Sequence, residues 1–394
     1  MDCIDIQNKY DCCGCGACAD ACPKSCIKMD TDTEGFIYPV VNHNQCITCG
    51  KCKTVCPIIS ADKANNEIVD DVAYAYVAPD DETVKSSASG GAFSLIMDAF
   101  FAAHSNSVIV GAAFNKTEVK HIAVNNRNSA NIFRKSKYVQ SQTCGIFKQV
   151  KAMLTENKTV LFSGTPCQVA ALKRYLGCDY DNLLMVDIVC HGVPSQACFD
   201  EYLQELETKK QSKVIGAEFR CKKNFNGDNP NPRTINVFFE KGDCDNMDIS
   251  ESEFLYAYYT GLIYRPSCQT CKFAKSSRPG DITLGDYWGI EKKHPELNSL
   301  KGVSLVRFNT EKGKFLIDYF NKSGKFVETS WAFACAENHQ LSFPAIPHRN
   351  RNKFFKLRSK GVSFCENVEK CKKPDTLLRK VIRKLSTFIH MKNV

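Results

Sequence analysis

At 394 residues the chain is long enough for two or three domains, and its 23 cysteines far exceed what packing calls for. The formal charge of +9 is local: residues 346–394 hold fourteen Lys or Arg against three Asp or Glu, a surplus of +11 that leaves −2 for everything before it. No run is apolar enough to cross a bilayer, residues 1–20 lack the apolar stretch of a signal peptide, and free thiols in this number point to a reducing cytoplasm.

The first element is a cysteine run. Cys12, Cys15, Cys18 and Cys22 follow C-x₂-C-x₂-C-x₃-C with Pro23 next, and Cys46, Cys49, Cys52 and Cys56 repeat the spacing with Pro57 next. This is the ligand pattern of a bacterial-type ferredoxin with two 4Fe–4S clusters, in which the fourth cysteine of each run serves the other cluster. The spacing therefore predicts one cluster on Cys12, Cys15, Cys18 and Cys56, and the other on Cys46, Cys49, Cys52 and Cys22. The doubled pattern sets it apart from a disulfide framework or a zinc site. Cys13 falls outside the spacing and is not expected to be a ligand. Gly14, Gly16, Ala17 and Gly50 leave room for backbone amides at the cluster sulfurs, and Pro23 and Pro57 are expected to end a short helix after each fourth cysteine. Residues 27–41 read as a hairpin turning near Glu34 and Gly35.

Residues 60–67 are polar and read as a linker. Beyond them the pattern alternates: a helix over 92–101, a strand over 108–113, a helix over 148–156, a strand over 159–162, a helix over 169–176, a strand over 183–189 and a helix over 196–207. Further strands are predicted over 234–239 and 304–308, with an exposed loop over 224–233. Alternation of this kind predicts an α/β domain with a substantially parallel sheet, α+β overall once the small N-terminal domain is counted. The expected organisation is a ferredoxin domain over 1–66, a larger α/β domain over 67–345 and a basic tail over 346–394.

Three further groups carry chemistry. Ser89, Gly90 and Gly91 enter a helix at Ala92, where exposed amides and the helix dipole suit a phosphate or pyrophosphate; an ordinary helix cap fits the same residues. Cys167, in Gly164-Thr165-Pro166-Cys167-Gln168, and Cys190, in Cys190-His191-Gly192, both follow predicted strands, where open α/β sheets place ligands. Cys268 and Cys271 form a C-x₂-C. These four cysteines are the number one more 4Fe–4S cluster or a zinc ion needs. Buried apolar cysteines, or a lone Cys167 nucleophile with no evident base, are the alternatives that spacing leaves open.

Together these segments resemble the beta-subunit family of coenzyme F420 hydrogenases and dehydrogenases. The matching stretches are Ser89-Gly90-Gly91-Ala92, Ser136-Lys137-Tyr138-Val139-Gln140-Ser141, Phe162 to Gln168, Cys190-His191-Gly192-Val193-Pro194-Ser195, Cys268-x₂-Cys271 and Gly285-Asp286-Tyr287-Trp288-Gly289. The fused ferredoxin run looks like the bacterial branch. The resemblance implies FAD in the α/β domain, held at Ser89, Gly90, Gly91 and Ala92 and lined by Lys137, Tyr138, Gln140 and Ser141. It also implies a third 4Fe–4S cluster on Cys167, Cys190, Cys268 and Cys271. It does not settle the substrate, and no residue marks a deazaflavin pocket, so coenzyme F420 itself is not expected.

The mechanism this implies carries electrons between a redox protein such as ferredoxin and a small organic substrate, through the clusters and FAD. His191 is the histidine inside a family-like segment and could donate a proton, or support the cluster beside Cys190. Asp286 and Trp288 share that standing without a derived role. Lys137 could pair with flavin phosphates, whereas Lys85 reads as solvated. An electron-transfer subunit serving a partner enzyme and a redox sensor are the competing functions; no nucleic-acid-binding module is evident. Residues 374–392 read as a basic amphipathic helix, suited to an anionic membrane face at the inner surface, to an acidic partner, or to packing on the body.

Overall fold

The computed structural model describes residues 3–59, 61, 66, 70–223, 225–227, 230–297 and 300–372. The predicted linker over 60–67 and the amphipathic stretch over 374–392 lie mostly or wholly outside the described residues. In the N-terminal module, β1 (Ile27–Thr31) pairs antiparallel with β2 (Ile37–Val41), Ile27 facing Val41 and Thr31 facing Ile37. Asp32 makes the turn: its carboxylate accepts from the amides of Glu34 and Phe36, both at 2.9 Å, the local bonding that favours Asp in turns. Two one-turn helices, Ala17–Asp20 and Lys51–Thr54, each begin after a left-handed glycine, Gly16 and Gly50. They precede the fourth cysteines Cys22 and Cys56, rather than following them as the sequence suggested.

The remaining strands in chain order are β3 (Val72–Val77), β4 (Ser107–Asn115), β5 (Glu118–Val124), β6 (Thr159–Gly164), β7 (Leu183–Ile188), β8 (Val214–Phe219), β9 (Thr234–Phe239), β10 (Cys244–Asp248), β11 (Ile282–Asp286), β12 (Ser304–Phe308) and β13 (Lys325–Ser330). Eight of them form one sheet in the order β13-β3-β12-β11-β7-β6-β4-β5. The centre is parallel, with β4, β6, β7 and β11 running together. Both flanks are antiparallel, so the sheet is mixed rather than substantially parallel. The central strands are apolar on both faces, as burial under helices on each side requires. Helices Ile146–Thr155 and Pro166–Leu176 cross between β4, β6 and β7 and share a core with Val160, Phe162 and Met185. Helix Ala92–Ala103 packs with Ile109, Leu161, Val186 and Val306.

A second, three-stranded antiparallel sheet, β10-β9-β8, shares a core with helices Gln196–Lys210 and Glu253–Tyr259. Helices Arg351–Arg358 and Phe364–Cys371 add Phe354, Phe355, Phe364 and Val368 to that core. Residues read from charge as part of a tail are therefore packed into the body, with Arg351 buried against Glu34 and Arg358 paired with Glu201. Tyr38 of β2 and Phe36 just before it enter the same core, which docks the N-terminal module on the body.

Candidate functional site

The two N-terminal cysteine runs fold into two thiol groups. Cys18 is buried, and burial together with the neighbouring Cys12 and Cys56 pushes its thiol far up from the ordinary value. Burial also raises Cys56, with Cys12 adding to it. Gly14 donates its amide to Cys12 Sγ at 3.4 Å. The second group surrounds a small cavity lined by Cys22, Cys46, Cys49 and Cys52, with Cys3 and Cys26 beside them. Ile4 donates its amide to Cys52 Sγ at 3.1 Å, and Cys22 Sγ lies 3.3 Å from Cys26 Sγ. Soft iron would take such gathered thiols as thiolates, with backbone amides bonding the sulfurs. Among the described residues no three His, Cys, Asp or Glu converge as they would on a single metal ion; a four-iron cluster is larger and spreads its ligands.

A cavity of about 1110 Å³ lies at the carboxyl ends of β6 and β7. Cys167, Cys190, Cys268 and Cys271 all line it. Cys167 is the second residue of helix Pro166–Leu176, whose start is closed by Thr165 and Gln168 in a capping box. Cys190 follows β7, and Gly192 donates its amide to its sulfur at 3.5 Å. Cys268 sits in the single turn Pro266–Thr270, with Cys271 directly after it. One buried ion pair sets the spacing between these segments. Arg278 donates from Nε to Asp187 Oδ1 of β7 at 3.0 Å and from Nη1 to the Phe273 carbonyl at 3.2 Å. Asp187 also accepts from the Gly280 amide at 2.9 Å. Burial, then Cys167 and Cys271, push Cys190 up to about 12. Cys268 is pushed up by burial and then by Cys190 and Cys271, so the four thiols feel one another.

Cys13 lies between the two regions. It lines the cavity, and its thiol hydrogen-bonds with Cys15 of the first N-terminal group and with Cys167 of the central one. Spacing could not show this, because Cys13 belongs to no pattern.

The same cavity holds most of the residues expected at a flavin. Seven of the eight, Ser89, Gly91, Ala92, Lys137, Tyr138, Gln140 and Ser141, line the cavity, and Gly90 does not. Most of their side chains are committed to the wall itself. Ser89 Oγ donates to the Val303 carbonyl at 2.8 Å, and Lys137 Nζ donates to the carbonyls of Ile132 and Arg134 at 2.8 and 2.7 Å. Gln140 donates to the Cys13 carbonyl at 2.9 Å. Ser141 bonds His121 Nδ1 at 3.0 Å and accepts from the Gln168 amide at 2.9 Å. What remains for a ligand is the start of helix Ala92–Ala103, where Gly91 brings no capping side chain although the Ala92 amide donates to Ser304 Oγ at 3.3 Å, and the ring of Tyr138, stacked on Tyr258 at 4.1 Å. Burial pulls Lys137 down to about 7.

At the polar end, Arg220 pairs with Asp286 at 2.9 Å and donates from Nε to the Ala88 carbonyl at 3.0 Å. His191 meets the edge of Trp288, ring centres 5.1 Å apart, and burial pulls it down to about 4 despite the nearby Asp286, leaving it neutral at pH 7. Arg233 lies over the Tyr259 ring at 5.6 Å. Asp286 and Trp288 were visible in the sequence through their segment, whereas Arg220, Tyr258 and Tyr259 lie in no motif and were missed. Lys85 is exposed, as expected. No helix among the described residues is long and apolar enough to cross a membrane.

Residues 157–331 match the family model for the C terminus of the coenzyme F420 hydrogenase/dehydrogenase beta subunit, and residues 11–58 match that of the 4Fe–4S dicluster domain. A solved chain of the F420-reducing NiFe hydrogenase complex from Methanosarcina barkeri aligns at 17% identity and a TM-score of 0.43, over 78% of this chain and 92% of that one. A comparison with curated proteins found no match. Residues 157–331 are therefore similar to the C-terminal part of coenzyme F420 hydrogenase/dehydrogenase beta subunits, and a 4Fe–4S dicluster domain lies ahead of them over residues 11–58.

Proposed function

We propose that this iron–sulfur electron-transfer protein is an FAD-dependent oxidoreductase acting on a small organic substrate. One observation carries the reading. A single cavity is lined by Cys167, Cys190, Cys268 and Cys271, by Cys13 from the N-terminal module, and by the glycine-led helix start at Gly91 and Ala92. Cluster thiols, a route from the ferredoxin module and a phosphate-suited turn thus share one chamber with room for a dinucleotide and a small molecule.

In this reading Cys12, Cys15, Cys18 and Cys56 hold one cluster, Cys46, Cys49, Cys52 and Cys22 the second, and Cys167, Cys190, Cys268 and Cys271 the third. FAD, when bound, exchanges single electrons with clusters and a hydride equivalent with the substrate. The chain's own residues arrange the chamber. Gly91 and Ala92 offer the helix start to phosphate, Tyr138 offers its face, and the Arg220–Asp286 pair fixes the polar end. His191, neutral against Trp288, serves the substrate as a hydrogen-bond donor rather than as an imidazolium acid. Nothing among the lining residues singles out coenzyme F420. Three iron clusters and free thiols suit a reducing cytoplasm, and the likeness of residues 157–331 to a beta subunit invites a partner redox protein.

The test is a cofactor count on protein purified without oxygen. About twelve irons per chain with one extractable FAD supports three 4Fe–4S clusters and the flavoenzyme. About eight irons and no flavin would make the chain a carrier serving a partner enzyme.

A further inference from the structure

The second N-terminal thiol group is the one open to solvent: among its four proposed ligands Cys49 is exposed, and Cys22 and Cys46 are half-buried. The two segments that carry its cysteines hold one sign of charge, the exposed acid beside them being Asp5 of the N-terminal stretch, which accepts from Gln7 at 2.6 Å. Residues 21–29 and 41–54, which contribute these four cysteines, hold Lys24, Lys28, Lys51 and Lys53 and no Asp or Glu. Lys24 and Lys51 line the small cavity itself, and both are exposed. This is local, since the chain ahead of residue 346 carries −2 in all. The acids at the hairpin turn between the two segments are engaged elsewhere: Asp32 with Lys9 at 2.5 Å, and Glu34 with Arg351 at 2.6 Å. Asp30 lies in β1 opposite Tyr38. At the centre Ile47, between Cys46 and Cys49, is 54% exposed.

An apolar knob inside a charged rim is the anatomy of a transient protein interface, where the centre loses water and the rim guides encounter. We infer that this face docks an acidic one-electron carrier protein, with Ile47 at the contact centre and Lys24, Lys28 and Lys51 at the rim. The inference rests on the reading that Cys46, Cys49, Cys52 and Cys22 hold a cluster. The step moves one electron and no proton: the reduced carrier loses one electron and the cluster gains it. The lysines raise the local concentration of an acidic partner and orient it; they take no part in the transfer.

The test follows reduction of the full-length holoprotein by a reduced acidic ferredoxin in stopped flow at low salt, with dithionite as the small-molecule control. Lys24→Glu combined with Lys51→Glu is expected to slow ferredoxin reduction roughly ten-fold or more and to flatten its salt dependence. Reduction by dithionite and the iron content should stay at parent levels. Ile47→Asn should slow the reaction with its salt dependence retained. Lys241→Glu, on the exposed turn between β9 and β10, is the control and should react as the parent. An unchanged rate in the double variant, or an equal loss in the control, overturns the docking face. Parent protein about four irons short, with no signal from a second N-terminal cluster, overturns the reading beneath it.

Discussion

Arg265 donates from Nε to the carbonyl oxygen of Cys12 at 2.8 Å, joining residues 253 positions apart. The same guanidinium reaches the Ile37 carbonyl at 2.8 Å and Gln140 Oε1 at 3.1 Å, and lies over the Tyr38 ring at 4.3 Å. It is fully buried three residues before Cys268. One side chain thus fixes the ferredoxin module against the segment that carries the third thiol group. Replacing it with Ala leaves two buried carbonyls without a donor, and Arg265→Ala is expected to lose on the order of 3 kcal/mol in anaerobic urea unfolding. Arg265→Lys should recover little, because an ammonium lacks the planar fork.

Cys13 and Cys167 hydrogen-bond to each other, yet their assigned roles differ. Cys167→Ser is expected to lower iron by about four per chain, one 4Fe–4S cluster, with loss of the matching electron paramagnetic resonance signal. Cys13→Ser should keep the full iron content. Equal iron loss in the two variants would make Cys13 a ligand.

Gly90 is a packing residue in a segment that reads as a ligand loop. A Cβ there would run into the Tyr76 carbonyl oxygen and come within 2.8 Å of the Ser304 amide nitrogen. Gly90→Ala must push the 84–91 loop away from β3 and β12, at a cost of about 2 kcal/mol or more. Thermal unfolding should show that loss, with flavin retention falling more than N-terminal iron. Ser89→Ala, which removes the strut to Val303, should lose about 1 kcal/mol and keep its flavin.

His121 sets an acid limit on stability. The Ser163 carbonyl can only accept, so Nε2 carries the proton and Nδ1 accepts from Ser141. Burial holds this ring down at about 4, from an ordinary 6.5. Between those values the unfolded chain binds a proton that the folded chain refuses. Stability is therefore full above pH 6.5 and falls as pH drops toward 4, by on the order of 3 kcal/mol from this group. His121→Gln should be less stable at pH 7 and show a shallower decline between pH 6.5 and 4.5 in anaerobic denaturant titrations.

The doubled cysteine run and the strand–helix alternation from β4 to β7 were legible in the chain because each obeys a local rule: ligand spacing in one case, hydrophobic period in the other. Strands β9 and β12 fall on the residues expected for the same reason. The direction of β11 against β12 had no local sign, since antiparallel and parallel strands carry the same apolar residues here. The flanks of the sheet were accordingly misread. Ser89 and Lys137 were legible as members of a family-like segment, yet their side chains bond the wall; whether a hydroxyl faces a ligand or a carbonyl depends on a strand more than 200 residues away.

The thiol pattern of the N-terminal module is legible in its amino-acid order alone, because the ferredoxin ligand pattern is written in short spacings. What those thiols serve depends on the folded chain. Folding brings Cys167, Cys190 and the Cys268–Cys271 pair to one chamber and puts Cys13 between them and the N-terminal module. It also buries Arg265 and the Asp187–Arg278 pair as the struts that hold the arrangement. The contacts of Arg265 with Cys12 and of Arg278 with Asp187 join positions 253 and 91 residues apart. They are fixed by packing and by the need to pair every buried charge, which no local pattern records.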